Sequence, residues 1–142
     1  MIQTGPQFRD FIEEQLETTF DEHAIFIGVG INAERYGVVA FDNYTDYDIE
    51  LFYAGQHFLT RSLIRLVFNY IFNQLGCHRC TSRISADNDK ALSIIKRLGF
   101  TEEGRLRQAI DGQDVVIHGL LRSECRYIND GQKEPTKSTR SN

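Results

Sequence analysis

The chain has 142 residues, 41% of them hydrophobic and 25% charged, and a formal net charge of −4. That is the length of one domain and an ordinary globular composition, which excludes a disordered chain, a fibre and a coiled coil. No apolar run approaches the roughly 20 residues of a membrane-spanning helix, and no basic patch interleaved with aromatics points to nucleic acid.

A helix is expected over 6–20, where Phe8, Phe11, Ile12, Leu16 and Phe20 recur at helical spacing between acidic residues. A strand is expected over 24–31, with Ile25, Ile27, Val29 and Ile31 on one face. After a turn at 32–35, a second strand runs over 37–43 and a third over 46–53. In the third, Ile49, Leu51 and Tyr53 alternate with Asp48, Glu50 and Phe52.

The strongest helix signal covers 61–75. Arg61, Arg65, Asn69 and Asn73 form one polar stripe, and Leu63, Leu66, Val67, Tyr70, Ile71 and Leu75 fill the opposite face. A helix so widely apolar is expected to be buried on most sides. Thr60 suits its N-cap and Gly76 a left-handed C-cap. A strand follows over 78–84, with Cys80, Ser82 and Ile84 inward, and then a short amphipathic helix over 87–98 that stops at Gly99. Two strands, 101–110 and 114–125, are joined by Asp111-Gly112, a hairpin signal.

The element order is therefore αβββαβαββ. Strand, buried helix, strand is a parallel crossover, and the three strands before it are antiparallel neighbours by their short links. The fold class is α+β, a mixed sheet with helices on both faces. A single domain is expected over 1–129, and a polar, disordered tail over 130–142.

Charge is uneven. Up to Thr60 there are 2 basic and 11 acidic residues, and after it 14 basic and 9 acidic. An acidic half and a basic half suit one cationic and one anionic ligand; chance asymmetry of a solvated surface is the bland alternative. The opening MIQTGPQFRDFIEEQ has neither a basic nor an apolar signal region, so no secretory signal is expected. Three cysteines are too few for a disulfide scaffold, and a reducing cytosol is the expected compartment.

One stretch carries a resemblance. It reads LGCHRCTSRISADNDKALSIIKRLGFTEEGRLR from Leu75 to Arg107. Its marks are Leu75-Gly76, His78-Arg79 opening a strand, Asn88 and Ala91 at a helix start, Leu98-Gly99-Phe100, and Glu103-Gly104 with Arg107. Leu121-Arg122 before Glu124 fits a closing strand. This pattern resembles the Gcn5-related N-acetyltransferase (GNAT) superfamily, and within it the branch that acetylates ribosomal-protein N-termini. The closing stretch also looks like compact acetyltransferase-like proteins of tailed bacteriophages. The expected fold is that family's twisted mixed sheet, trimmed of its first strand and helix.

The resemblance implies acetyl-coenzyme A (acetyl-CoA) as donor and a primary amine as acceptor, with no metal. It implies that the third strand bulges and splays from its neighbour, so that backbone at Phe52 and Tyr53 meets the pantetheine arm. It implies that Phe58, Leu59, Thr60, Arg61 and Ser62, at the start of the long helix, meet the pyrophosphate. Free amides and the dipole of a helix N-terminus favour phosphate on physical grounds alone. Gln56 and Phe58 stand where the family has glycines. Glu50-Leu51-Phe52-Tyr53 resembles the branch's Glu-(Ile/Leu)-Gly-Tyr, which makes Glu50 the candidate base; a solvent-facing strand carboxylate is the alternative. Asn88 is a candidate for contacting the donor or an ordered water, or for capping its own helix. The tyrosine that many members use as an acid falls at Ile95, which has no proton to give.

Other features weigh less. Cys77 and Cys80 point to opposite faces of a strand and have no second pair, which argues against zinc. Gly28-Val-Gly30 opens no helix and is no dinucleotide fingerprint. His118 reads as an interior or groove residue, and His57 as a turn residue near the phosphates. Two functions stay open: an acetyl-CoA-dependent N-acetyltransferase, or an inactive protein of that fold that binds a host protein, in the host cytoplasm if phage-encoded. A homodimer is compatible with either.

Overall fold

The structure is a computed structural model, and it describes residues 1–128. The expected tail at 130–142 lies outside the described residues. Seven strands form one sheet in the order β1-β2-β3-β4-β5-β7-β6. The elements are β1 (Ile2–Thr4), α1 (Arg9–Leu16), β2 (Ile25–Asn32), β3 (Arg35–Asp42), β4 (Asp48–Gln56), α2 (Arg61–Asn69), β5 (Arg79–Ser85), α3 (Asp89–Arg97), β6 (Thr101–Ile110) and β7 (Gln113–Leu121). β4 and β5 pair in parallel around α2, and the other neighbours pair antiparallel.

Apolar alternation places the helices. Ile49 and Leu51 of β4 join Leu63, Val67, Phe68 and Ile95 in the larger core, beneath α2 and α3. Phe26, Val38 and Ala40 join Ile12 and Phe20 in the smaller core, beneath α1 on the opposite face. The sheet is thus covered on both sides, as expected.

Several details differ from the sequence reading. β1 is a three-residue exposed edge strand that pairs with β2, so a short strand and a short helix precede the main sheet. α1 ends at Leu16 because Glu17 turns left-handed, with φ 53°. Residues Tyr70–Gln74 continue α2 as a π-helical turn, in which the Leu75 amide donates to the Tyr70 carbonyl at 2.8 Å. Leu66 is 45% exposed, so α2 presents one apolar position to solvent. Ile25 and Ile31 are exposed at the two ends of β2.

β7 stops at Leu121, because the Glu124 carboxylate accepts the Leu121 amide at 3.0 Å and closes a short 3-10 turn. The Arg122 side chain is buried there; it donates to the Phe72 carbonyl and, at 2.8 Å, to Asn73 Oδ1. The end of the α2 segment is thereby tied to the end of the sheet. Thr60 caps α2, accepting the Leu63 amide at 3.2 Å, and Gly76 follows it with φ 72°, both as expected.

Candidate active site

β4 is held differently on its two edges. Against β3 its register is unbroken from Tyr36↔Gln56 to Asp42↔Glu50. The bulge expected in this strand is therefore absent: every residue has a partner opposite it. Against β5 it pairs only at Asp48↔Arg79, Ile49↔Cys80 and Glu50↔Thr81. Beyond that the strands part, leaving 51–56 of β4 and the end of β5 unpaired with each other.

The joined end is clamped by polar side chains. Thr81 Oγ1 donates to Asp48 at 2.8 Å and accepts from Arg79 Nε at 3.1 Å. Arg79 also bridges to Glu103 at 2.8 Å. Gly119 makes room for that bridge, since a side chain there would meet both partners.

The parting strands open two clefts that meet at a neck. The first, of about 720 Å³, runs along Glu50–Phe52, the end of β5 and the loop after α1. The second, of about 610 Å³, lies between the turn before α2 and the exposed flank of α3. Gln15, Leu16, Tyr53, Asn88 and Ala91 line both. At the neck the buried Tyr53 hydroxyl donates to the Ala91 carbonyl at 3.1 Å, and burial pushes its phenol well above the ordinary value.

The clefts differ in charge. The first is lined by Glu17, Asp42, Glu50, Asp87 and Asp111 against a single base, Arg83. The second is lined by Lys90, Arg97 and His57, and by no carboxylate. Glu50 accepts from Asn43 Nδ2 at 3.0 Å and stands across the strand pair from the buried Asp42. Like charges opposed in this way repel, which favours a cation between them.

The turn into α2 is shaped by Phe58. Its ring is buried against Gly37 and Gly55, so the bulky residue packs into the core and not across the opening. Gly55 (φ 148°) and His57 (φ 47°) carry the backbone around it. The exposed Gln56 lines neither cleft. The Arg61 and Ser62 amides begin α2, where no intrahelical partner exists, and have none among the described residues.

Of the residues singled out in the sequence, Tyr53, Phe58, Leu59 and Asn88 line the second cleft, and Glu50, Phe52, Tyr53 and Asn88 the first. Thr60, Arg61 and Ser62 sit at the helix start beside the second cleft and outside its lining. Phe52 turns its ring toward α1, edge-on to Phe20 with 4.9 Å between centroids. Asn88 Oδ1 accepts the Ala91 amide at 3.1 Å and so caps α3. Ile95 is fully buried. His118 is interior and lines neither cleft. The sequence reading missed Lys90 and Arg97. Their signal was a spacing of seven residues, two turns of one helix face.

No protein-family profile matches the chain. A Bacillus subtilis (strain 168) protein, the SPbeta prophage-derived uncharacterized N-acetyltransferase YokL, is 30% identical across 87% of this chain and 73% of its own length. The chain belongs to the N-acetyltransferases of the Gcn5-related fold. Spermidine N(1)-acetyltransferase of Vibrio cholerae serotype O1 is 28% identical over 71 residues, spanning 49% of this chain and 41% of that one. A solved spermidine N-acetyltransferase chimera from Vibrio cholerae superposes with a TM-score of 0.66 over 91% of this chain and 99% of its own, at 20% identity, which speaks for the fold alone. In an N-acetyltransferase a cleft between parting strands is where a thioester and an amine can meet.

Proposed function

We propose that this N-acetyltransferase moves an acetyl group from acetyl-CoA to a primary amine of a small cationic molecule. The observation that carries the reading is the parting of β4 from β5 after three paired residues, with a base-lined cleft on one side of the neck and an acid-lined cleft on the other. The free edge of β4 at Phe52 and Tyr53 would pair with the amides of a pantetheine arm. The open turn, with Phe58 folded inward, leaves Leu59, Thr60, Arg61 and Ser62 for the pyrophosphate. The acidic cleft would gather an ammonium group. The names of the spermidine acetyltransferases point to the same acceptor chemistry.

The reaction needs the amine in its neutral form. Glu50, directly or through water, is placed to take the ammonium proton. The nitrogen lone pair then attacks the thioester carbonyl, a C–N bond forms, the C–S bond breaks and the sulfur leaves as thiolate. With Ile95 at the usual acid position, the proton for that thiolate comes from solvent or from the ammonium itself. Asn88, with its oxygen committed to the cap, offers only its amide hydrogens to the donor. The likeness to ribosomal-protein acetyltransferases rests on the sequence motifs, and the likeness to phage proteins on those and on the prophage-derived relative.

Ile95 supports a second reading, a protein of this fold that binds a host partner without turning over. Calorimetric titration with acetyl-CoA, followed by product detection with spermidine, separates the two. Donor binding and acetylated polyamine are expected. Absence of heat and of thermal stabilisation at millimolar donor would sink the transferase reading, because a ligand that binds the folded state must stabilise it. Glu50→Gln should lower turnover about a hundredfold, and unchanged turnover would remove Glu50 from the mechanism.

A further inference from the structure

The second cleft has two electropositive poles. One is the start of α2, with the unpartnered Arg61 and Ser62 amides. The other is the exposed flank of α3, where Lys90 and Arg97 both line the cleft. They lie seven residues apart, about 10 Å along one helix face. Neither forms an ion pair among the described residues, whereas Arg9, Arg79 and Arg105 all do. The charge of Arg97 is felt at the Tyr53 phenol, opposing the larger effect of burial there, which puts its guanidinium on the cleft side of the helix. Arg126 is occupied elsewhere: it donates to the Arg97 carbonyl and to the Tyr127 hydroxyl, and it stacks on the Tyr127 ring.

Two cations held in a cleft without a carboxylate need an anion. A pyrophosphate at the α2 amides would satisfy one pole only. A ligand that fills both must carry a second phosphate, set off from the first by about the width of a ribose. We infer that Lys90 and Arg97 form a subsite for the 3′-phosphate of the donor's nucleotide. The inference rests on the second cleft being the donor site. Its consequence is selectivity: the protein distinguishes acetyl-CoA from 3′-dephospho-acetyl-CoA, which shares the thioester, the pantetheine and the pyrophosphate.

The test is calorimetric titration of the full chain with these two donors. The wild type should bind acetyl-CoA about tenfold more tightly than the dephospho form, the usual effect of charge-assisted contacts to phosphate. The double variant Lys90→Ala, Arg97→Ala should bind both donors with the weaker of the two affinities. Both side chains are exposed, so an unchanged melting temperature will show that the variant folds. Arg126→Ala should keep the tenfold preference.

Equal affinities in the wild type overturn the inference and leave the donor cleft standing. An equal loss for both donors in the double variant also overturns it, and reassigns the pair to the pyrophosphate. If the wild type binds neither donor, the donor reading fails and the subsite falls with it.

Discussion

The ring of Phe58 occupies the space that a side chain on Gly37 would need. This contact holds the turn before α2 in its inward-folded form. Gly37→Ala should therefore act twice. It should destabilise the fold by about 1–3 kcal/mol through overpacking, and it should drive the ring toward the second cleft. Denaturant melts and acetyl-CoA titration of the same variant check both effects. A stable variant with unchanged donor affinity would show that the ring is not held by Gly37.

Tyr53 joins β4 to α3 at the neck. Tyr53→Phe removes the hydroxyl donated to Ala91 and leaves the ring in place. A loss of about 1 kcal/mol in stability is expected, the usual worth of one such bond. Because burial holds the phenol protonated well into the alkaline range, the pH–rate profile of the wild type should show no alkaline limb that this variant abolishes.

His118 is buried on β7 with Nδ1 unpartnered among the described residues. Burial pushes it below its ordinary 6.5, and Glu102, facing it from β6, opposes that shift; Lys96 on α3 adds to it. The folded state thus prefers the neutral ring. As pH falls below about 6.5, the unfolded chain takes up a proton that the folded chain resists, and stability declines. Thermal melts between pH 7.5 and 5 should show this loss, and His118→Gln should flatten it.

All three cysteines are free and buried. Burial raises the Cys77 thiol to about 11 and Cys80 well above its ordinary value. A thiol-exchange reagent at pH 8 should leave the native protein unlabelled and count three thiols once it is unfolded. Rapid labelling of the native protein would contradict the packing around β5.

Much of this architecture was legible in the sequence, because each major element buries one stripe or one alternate face. Val67, Phe68 and Ile71 mark α2 as Ile49 and Leu51 mark β4. What escaped has no local pattern. Ile2–Thr4 is three exposed residues made into a strand only by β2 beside it. The end of α1 depends on one left-handed residue, Glu17, inside an apolar spacing that continues to Phe20. Both β4 and β5 are apolar along their length, so nothing in their composition says where they stop pairing. The candidate base Glu50 and the cap Asn88 could be picked out by motif. The charge of the clefts could not, since Glu17, Asp42, Asp87 and Asp111 come together only in three dimensions.

The unpaired backbone along 51–56 carries a second consequence. Open strand margins usually lie at the rim of a sheet, where another molecule can zip onto them and start an aggregate. Here the bare rungs face inward, toward a sister strand of the same sheet, inside a fissure too narrow for a foreign hairpin. The protein can keep them permanently ready for a slender, extended guest while hiding them from its own copies.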